Sequence, residues 1–304
     1  MIRTPYVTVQ TDELRQHARE SPPVTQRSLF GPDPDAATHK PVGNRPERLK
    51  LLIVVKAAPN PSQAHGETVC VAALRLDLEK NQWVRLYPIN FRALENPQVF
   101  RKYDIVTLEA KPAPADPRYE SWRPVMPTLQ TVGHLDSWKK RVPWIADHIE
   151  DSMCDLLAAI RADPPARSLA AIRPRHIDGL DIELHPGWTP EEQAKIDAYT
   201  RQDTLFESGP RAALEAPRFK AWYRYRCHTT TCKGHRQGLL DWEFVAHQRH
   251  LRASDDATAQ RELQKRWLKE ICASDRDTVF FVGNQAKRQH VFSVLGVFYP
   301  RRQQ

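Results

Sequence analysis

Glycine is scarce in this chain, and long apolar runs are absent. Only 11 of the 304 residues are glycine, so a glycine-rich loop that cradles phosphate is not expected. No segment approaches the roughly 18 consecutive apolar residues that a membrane helix needs, which argues against a helical membrane protein. The first residues lack the apolar stretch of a signal peptide, and we therefore expect a cytoplasmic protein.

Cysteine is the next scarce residue type, with five in the chain. This small, odd number does not make a disulfide framework, and it favours reduced thiols, some of them candidate metal ligands. The sequence also lacks a P-loop, a G-x-S-x-G elbow, an H-E-x-x-H helix and the kinase signatures. The enzyme classes that those motifs define are therefore not expected.

Positive charge is in excess, and it is unevenly distributed. The chain holds 45 Lys and Arg against 37 Asp and Glu, a net charge of +8. Residues 211–304 hold 18 basic and 9 acidic residues, whereas residues 1–210 hold 27 and 28. Localised positive charge is typical of nucleic-acid contact, and the alternative is a solvated basic surface with no partner.

Composition and patterning divide the chain into four regions. Residues 1–47 have few aliphatic side chains and many prolines, so they predict an extended or disordered tail, suited to docking on a protein partner. Residues 48–135 carry strand patterns at 51–55, 67–76, 82–89 and 104–110, which predict a small β-barrel or sandwich with the second and third strands paired. Residues 136–210 predict a helical linker and a second β-region, and residues 211–304 a basic α+β region.

Further elements follow from the spacing of apolar residues in the second half of the chain. Helices are predicted at residues 136–141, 144–162, 189–200, 240–251 and 257–273. Thr189 is placed to cap the third of these, with Pro190 at its first position. Strands are predicted at residues 219–226, 278–282 and 291–299.

One segment carries the most informative motif. Cys227, Cys232 and His235 form the pattern C-x4-C-x2-H, and thiolates and imidazole are the ligands that Zn²⁺ prefers. Three ligands within nine residues cannot lie on one regular helix or strand. The pattern therefore predicts a zinc knuckle in a loop, where the glycine before His235 lets the backbone wrap the ion. The alternative is that both cysteines are ordinary buried thiols.

A closed structural site needs a fourth ligand, and the sequence offers several candidates: His228, His247, His250 and Cys272. Cys70 and Cys154 lie on apolar strand and helix faces and are predicted to be core residues. A catalytic metal would instead keep an open position beside a general acid or base. Asp241 and Glu243 are close in sequence, but Asp241 is better placed to cap a helix, with Glu243 in its first turn.

Aromatic and basic side chains alternate in two predicted strands, a pattern typical of surfaces that stack bases and hold phosphates. If Val84 and Leu86 face the core, the open face of their strand carries three such residues: Trp83, Arg85 and Tyr87. The strand at residues 219–226 offers four candidates: Lys220, Tyr223, Arg224 and Arg226. Lys287 and Arg288, in the loop between the last two strands, are weaker phosphate-binding candidates. The alternative is one core face and one solvated cationic face.

Two parts of the sequence resemble known families. The strings VVKAAPNPS, GETVCVAAL and QWVRLYP are similar to the strand core of dual-OB-type domain proteins of prokaryotes, although Ala73 stands where that pattern has glycine. The strings CHTTTCKGH, DWEF, FFVGN and VLGVFYP resemble bacterial proteins of mobile-element or defence type. The first resemblance implies a nucleic-acid-binding OB barrel without catalytic residues, and the second implies no particular activity.

Together these features predict an α+β protein with an OB-like β-barrel N-terminal domain and a zinc-stabilised α+β C-terminal region. We expect it to bind RNA or DNA, with single-stranded or RNA-type contacts made by its basic and aromatic surface, as a subunit of a larger prokaryotic assembly. The alternative function is a metal-dependent nuclease or nucleotide hydrolase that uses the Cys/Cys/His metal with Asp241 or Glu243. A protein-only adaptor is the third hypothesis.

Overall fold

Five strands of the N-terminal part close into a ring. This computed structural model describes residues 43–62, 66–78, 82–90, 99–162, 167–201 and 213–302, so most of the predicted tail, residues 1–42, lies outside the described residues. The ring is built from the following strands: β1 (Glu47–Lys56), β3 (Gly66–Arg75), β4 (Gln82–Ile89), β5 (Asp104–Pro112) and β6 (Ser121–His134). The short strand β2 (Asn60–Ser62) also pairs with β3, as its third partner.

Pairing around the ring is antiparallel except at one contact. β1 pairs with β3 and with β5, β3 pairs with β4, and β5 pairs with β6. A short parallel pairing of β4 with β6 closes the circle. The predicted pairing of the second and third strands is thus confirmed as β3–β4. Leu49, Leu51 and Ile53 of β1 fill the interior of the ring, because alternate side chains of a strand point to the same face.

The second part of the chain combines helices with two further sheets. Its elements follow in this order: α1 (Trp138–Ile145), a 3₁₀ turn (Ala146–His148), β7 (Ile149–Glu150), α2 (Met153–Ala162), β8 (Leu169–Ile172), β9 (His176–Leu184), α3 (Pro190–Thr200), β10 (Phe219–Arg226), β11 (His235–Gly238), α4 (Trp242–His250), α5 (Asp256–Gln264), a π-helix (Lys265–Glu270), β12 (Val279–Gln285) and β13 (Arg288–Phe298). One sheet has the order β11-β10-β9 and the other β13-β12-β8-β7. The fold class is α+β, rich in strand, as predicted.

Helix ends follow their capping residues. The prediction of one continuous helix over residues 144–162 is wrong, because α1 ends at Ile145 and α2 begins only at Met153. Ser152 Oγ accepts the Asp155 backbone N–H at 2.9 Å, which satisfies an amide of the new first turn. The cap of α3 is confirmed: Thr189 and Glu192 form a reciprocal capping box.

The outer face of the ring packs against the second part, and this corrects the predicted stacking platform. Trp83 and Arg85 are 7% and 2% exposed, so neither side chain is available to a base or a phosphate. Trp83 makes an edge contact with Phe281 of β12 at 6.1 Å between ring centroids. Arg85 Nη2 donates to the Ser168 carbonyl oxygen at 3.1 Å. Of the three predicted residues, Tyr87 alone keeps an exposed ring.

Buried polar contacts accompany this junction. Glu120, before β6, accepts hydrogen bonds from the backbone N–H and the hydroxyl of Ser168 at 2.6 and 2.9 Å. Arg118 donates to the carbonyl oxygen of Asn284 at 2.8 Å. These bonds satisfy polar groups that burial would otherwise leave unpaired. Among the described residues, no helix is long and apolar enough to cross a membrane.

Candidate metal centre

Four side chains from two separate parts of the chain converge at one end of β10 and β11. Cys227 directly follows β10, Cys232 lies in the connecting loop, and His235 is the first residue of β11. Cys154, from the first turn of α2, is the fourth member. Each offers one ligand atom, and these atoms all lie within 4.8 Å of one another. The four residues are therefore close enough to hold a metal ion, and we call them the Cys3His cluster.

Three donor–donor distances within the Cys3His cluster are close to the edges of a tetrahedron, and all donor–donor distances are within 4.8 Å. The Sγ atoms of Cys154 and Cys227 are 3.6 Å apart. His235 Nε2 lies 3.6 Å from Cys154 Sγ and 3.3 Å from Cys232 Sγ. An ion held at about 2.3 Å by sulfur and about 2.05 Å by nitrogen would separate two sulfurs by about 3.8 Å and sulfur from nitrogen by about 3.6 Å. The donor atoms thus need to move little to bind such an ion.

The three predicted ligands are members of the Cys3His cluster. Cys154 packs against the core, as predicted, but it also belongs to the cluster, which the sequence did not predict. None of the four candidates for the fourth ligand belongs to it. His247 instead accepts the indole N–H of Trp267, and the Cys272 thiol donates to the Trp267 carbonyl oxygen. Cys154 directly follows Met153, which is fully buried, so a residue beside the apolar face of α2 also belongs to the Cys3His cluster.

The loop between Cys227 and His235 is shaped by its own hydrogen bonds. The Cys232 backbone N–H donates to the Thr229 carbonyl oxygen at 3.0 Å, which forms a tight turn. Gly234 has a φ of +103°, a conformation that other residues adopt only with strain, so glycine at this position turns the chain into β11. The Thr229 hydroxyl lies 2.7 Å from that of Ser152, which ties the loop to the start of α2.

Proton affinities within the cluster differ between its thiols. Burial raises the pKa of Cys227, but hydrogen bonds, the strongest from His235, outweigh burial and lower that pKa to about 5. Burial and the neighbouring cysteines raise the pKa of Cys154 to about 12. The thiolate is the form that binds metals, so the environment of Cys227 favours a ligand while Cys154 needs a nearby cation to lose its proton.

Asp241 and Glu243 lie outside the Cys3His cluster, at the junction with the ring. Asp241 caps α4, since its Oδ1 accepts the Glu243 backbone N–H at 2.8 Å, as the sequence favoured. The ammonium of Lys102, from the ring, lies 2.9 Å from Glu243 Oε2 and 3.6 Å from Asp241 Oδ2. Burial raises the pKa of Asp241 to about 6, and Lys102 opposes that rise. Both carboxylates therefore neutralise a buried lysine.

Beside the Cys3His cluster, one side of the β11-β10-β9 sheet is open. Phe219, Ala221, Tyr223 and Tyr225 of β10 are buried. Tyr223 was a predicted nucleic-acid contact, and burial corrects this: its hydroxyl donates to the Trp267 carbonyl oxygen at 2.6 Å. The alternating positions lie on the open side, together with one residue of β11; we call this set the cationic face: Lys220, Trp222, Arg224, Arg226 and Arg236.

Side chains of the cationic face are held in place. Arg224 and Arg236 each donate to one carboxylate oxygen of Asp181, at 2.9 and 3.0 Å. The Arg236 guanidinium stacks on the indole of Trp222, 4.1 Å from its centroid. The Arg224 guanidinium lies close to Gly179, where an added Cβ would stand only 2.7 Å from Nη2. Sequence reasoning missed Arg236, although its cross-strand pairing with Arg224 places both on one side.

Lys287 and Arg288 are exposed at the turn between β12 and β13. Leu239, just after β11, forms a parallel β-bridge with Val294 of β13, so β11 and β13 run in the same direction. The β12–β13 turn therefore lies at the same end of the sheets as the Cys3His cluster. Lys233, within the metal loop, adds a third exposed cation there.

Comparison with known proteins divides the chain near residue 148, just before β7. Residues 149–304 match a family model described as "Domain of unknown function (DUF8757)". The chain belongs to the DUF8757 family. Residues 47–147 match a second model, "Domain of unknown function (DUF8758)". No curated protein and no solved structure matches the chain. The DUF8757 part runs from β7 onward and contains the Cys3His cluster and the cationic face, whereas the DUF8758 part comprises the ring, α1 and part of the 3₁₀ turn.

Proposed function

We propose that this protein binds nucleic acid through the cationic face and that a zinc ion in the Cys3His cluster stabilises the neighbouring structure. The observation that carries the proposal is Trp222, a half-exposed aromatic ring on an open sheet surface, flanked by Lys220, Arg224 and Arg236. Aromatic rings and guanidinium planes stack on bases, and cations beside them neutralise phosphates.

Electrostatics support the same surface. Acidic side chains of β9 neutralise part of its positive charge: Asp181 pairs with Arg224 and Arg236, Glu183 also pairs with Arg236, and Asp178 lies 3.9 Å from Arg226. These ion pairs also fix the guanidinium groups before any ligand arrives. Fixed cations lose less conformational entropy on binding, so preorganisation adds to affinity. Lys233, Lys287 and Arg288 add exposed cations at the end of the sheets that carries the Cys3His cluster, which suits a polyanion longer than a single nucleotide.

Zinc is the ion that the donor set favours. Three thiolates and one imidazole at tetrahedral distances are a donor set of closed structural zinc sites. Four protein donors leave no position for water or substrate, so the geometry supports a structural role. The alternative of a metal-dependent nuclease draws no support from the site, because Asp241 and Glu243 bond Lys102 instead of facing the ion.

The ring supports an OB-like barrel as part of the proposal. Around the ring the strands follow in the order β1-β3-β4-β6-β5, and the parallel pairing joins β4 and β6. If the five strands are numbered 1 to 5 along the chain, leaving out β2, this order is 1-2-3-5-4. OB folds bind oligonucleotides on the face of their second and third strands, which correspond to β3 and β4. That face is covered here around Trp83 and Arg85. We therefore place the contact on the second part of the chain.

Fluorescence anisotropy with a labelled single-stranded oligonucleotide of about 20 nucleotides tests the proposal. We expect affinity to fall steeply with salt, because each neutralised phosphate releases counterions. The double variant Arg224→Gln/Arg236→Gln should reduce the slope of log affinity against log salt by about 1.4, two phosphates at about 0.7 each. An affinity that does not change between about 50 and 200 mM salt would refute phosphate contacts by the cationic face, and the absence of any binding would refute the proposal as a whole.

A matched control removes two cations of the same region from outside the cationic face. Arg261 and Lys269 are exposed on α5 and on the π-helix, and Arg261→Gln/Lys269→Gln changes the net charge by the same amount. We expect the control to keep most of the affinity. Equal losses in the two double variants would assign the binding to overall charge and would refute the cationic face as its site.

A further inference from the structure

The Cys3His cluster and the cationic face share two strands. Cys227 directly follows Arg226 at the end of β10, and His235 directly precedes Arg236 at the start of β11. Tyr225 pairs with His235 across the strands, and Arg224 pairs with Arg236. Any displacement of the ligands is therefore passed directly to the arginines beside them.

β11 is a short edge strand that side-chain contacts hold in its middle. It has four residues, and all four pair with β10. Gln237 Oε1 accepts the Tyr225 hydroxyl at 2.8 Å, and the Arg236 guanidinium bonds Asp181 and Glu183. At the far end the Leu240 backbone N–H donates to the Val294 carbonyl oxygen at 2.7 Å. At the near end stands His235, so an ion in the Cys3His cluster would add an attachment point there.

A metal ion in the Cys3His cluster would not attract nucleic acid directly through its charge. Three thiolates around a divalent ion carry a net charge of −1, which repels phosphate. Arg226 and Lys233 lie next to ligands in the sequence and offset that charge. A favourable effect of the ion on nucleic-acid binding must therefore act through the geometry of the hairpin, because the loaded site as a whole carries no positive charge.

We propose that metal binding and nucleic-acid binding are positively coupled through the β10–β11 hairpin. The inference rests on the proposed function: the ion fixes His235 and Cys227, and this sets Arg236 and Arg226 on the cationic face in the arrangement that a nucleic acid contacts. Because coupling between two sites is reciprocal, the nucleic acid must raise the affinity for the ion by the same factor.

The first test compares ligand variants of the full chain in zinc-containing buffer. Cys232→Ala removes a ligand, whereas Cys232→His replaces it with another zinc ligand and serves as the matched control. We expect Cys232→Ala to bind the oligonucleotide at least tenfold more weakly than the wild type, while Cys232→His stays within a few-fold of it. Far-UV circular dichroism should show that Cys232→Ala keeps its strands, because the proposed coupling involves the hairpin alone. Equal affinities of the three proteins, or unfolding of the whole chain in Cys232→Ala, would overturn the inference.

The second test uses the wild-type protein and needs no variant to fold. Zinc affinity is measured by competition with a fluorescent chelator, with and without saturating oligonucleotide. We expect the oligonucleotide to raise zinc affinity by the factor by which zinc raises oligonucleotide affinity. If the zinc-loaded protein binds the oligonucleotide but its zinc affinity does not change, the coupling is refuted while the proposed function stands. If the zinc-loaded protein binds no oligonucleotide, both are refuted.

Discussion

Replacing Cys154 by alanine tests the part of the metal centre that lies farthest away in the sequence. Cys154 and Cys227 are 73 positions apart, so an ion bound by both closes a loop of that length. In the chain-entropy description of cross-links, closing such a loop stabilises the folded protein by about 4 kcal/mol. Cys154→Ala leaves three ligands within nine residues, and these close only a short loop.

We therefore expect Cys154→Ala to lower the free energy of unfolding by about 4 kcal/mol, measured by urea titration with excess zinc under reducing conditions. Elemental analysis should show one ion per wild-type chain and a clear loss in the variant. Cys272→Ala is the control, since that thiol is also partly buried but donates to the Trp267 carbonyl oxygen. It should keep the ion and lose about 1 kcal/mol.

Two outcomes would refute this reasoning. A Cys154→Ala protein with a full ion and the stability of the wild type would show that the cross-link does not form. A Cys272→Ala protein that loses its ion would place the fourth ligand elsewhere.

Two further predictions concern the junction and two tryptophans in different environments, the buried Trp83 and the partly exposed Trp222. Lys102→Met should lower the free energy of unfolding by about 3 kcal/mol at pH 8, because the Asp241 carboxylate is then buried without that cation. The loss, measured by urea titration, should be smaller at pH 5. That pH is below the raised pKa of Asp241, so the carboxyl group is protonated. Trp83→Ala should lower the melting temperature but leave the affinity of the folded protein for an oligonucleotide unchanged. Trp222→Ala should lower that affinity but leave the melting temperature nearly unchanged. Calorimetry and fluorescence anisotropy check the two expectations.

Local patterns predicted much of the ring and of the second half. The run at residues 51–55 is apolar on both faces, and β1 is indeed buried on both: Leu51 and Ile53 face the interior, while Leu52 and Val54 face the second part. The pattern does not reveal which surface covers an outer face. Trp83 and Arg85 were therefore assigned to solvent, although residues far away in sequence bury them.

The metal centre shows the same limit of local reasoning. Cys227, Cys232 and His235 were recognisable because their spacing requires a loop that gathers ligands. Cys154 stands on a helix among apolar neighbours, and its role depends on where α2 lies relative to the metal loop, which the sequence pattern does not contain. Alternation in β10 correctly predicted two kinds of face, but aromatic content misassigned Tyr223, whose ring is core and whose hydroxyl has a backbone acceptor.

The junction described above has a consequence for how the two family regions can be studied. Arg85 and Glu120 of the ring share Ser168 of the DUF8757 part, and Trp83 contacts Phe281 across the same boundary. A fragment that ended near residue 148 would expose these charges and rings to water, and we expect it to aggregate. Experiments on either family region should therefore use the intact chain, because each region buries part of the other's surface.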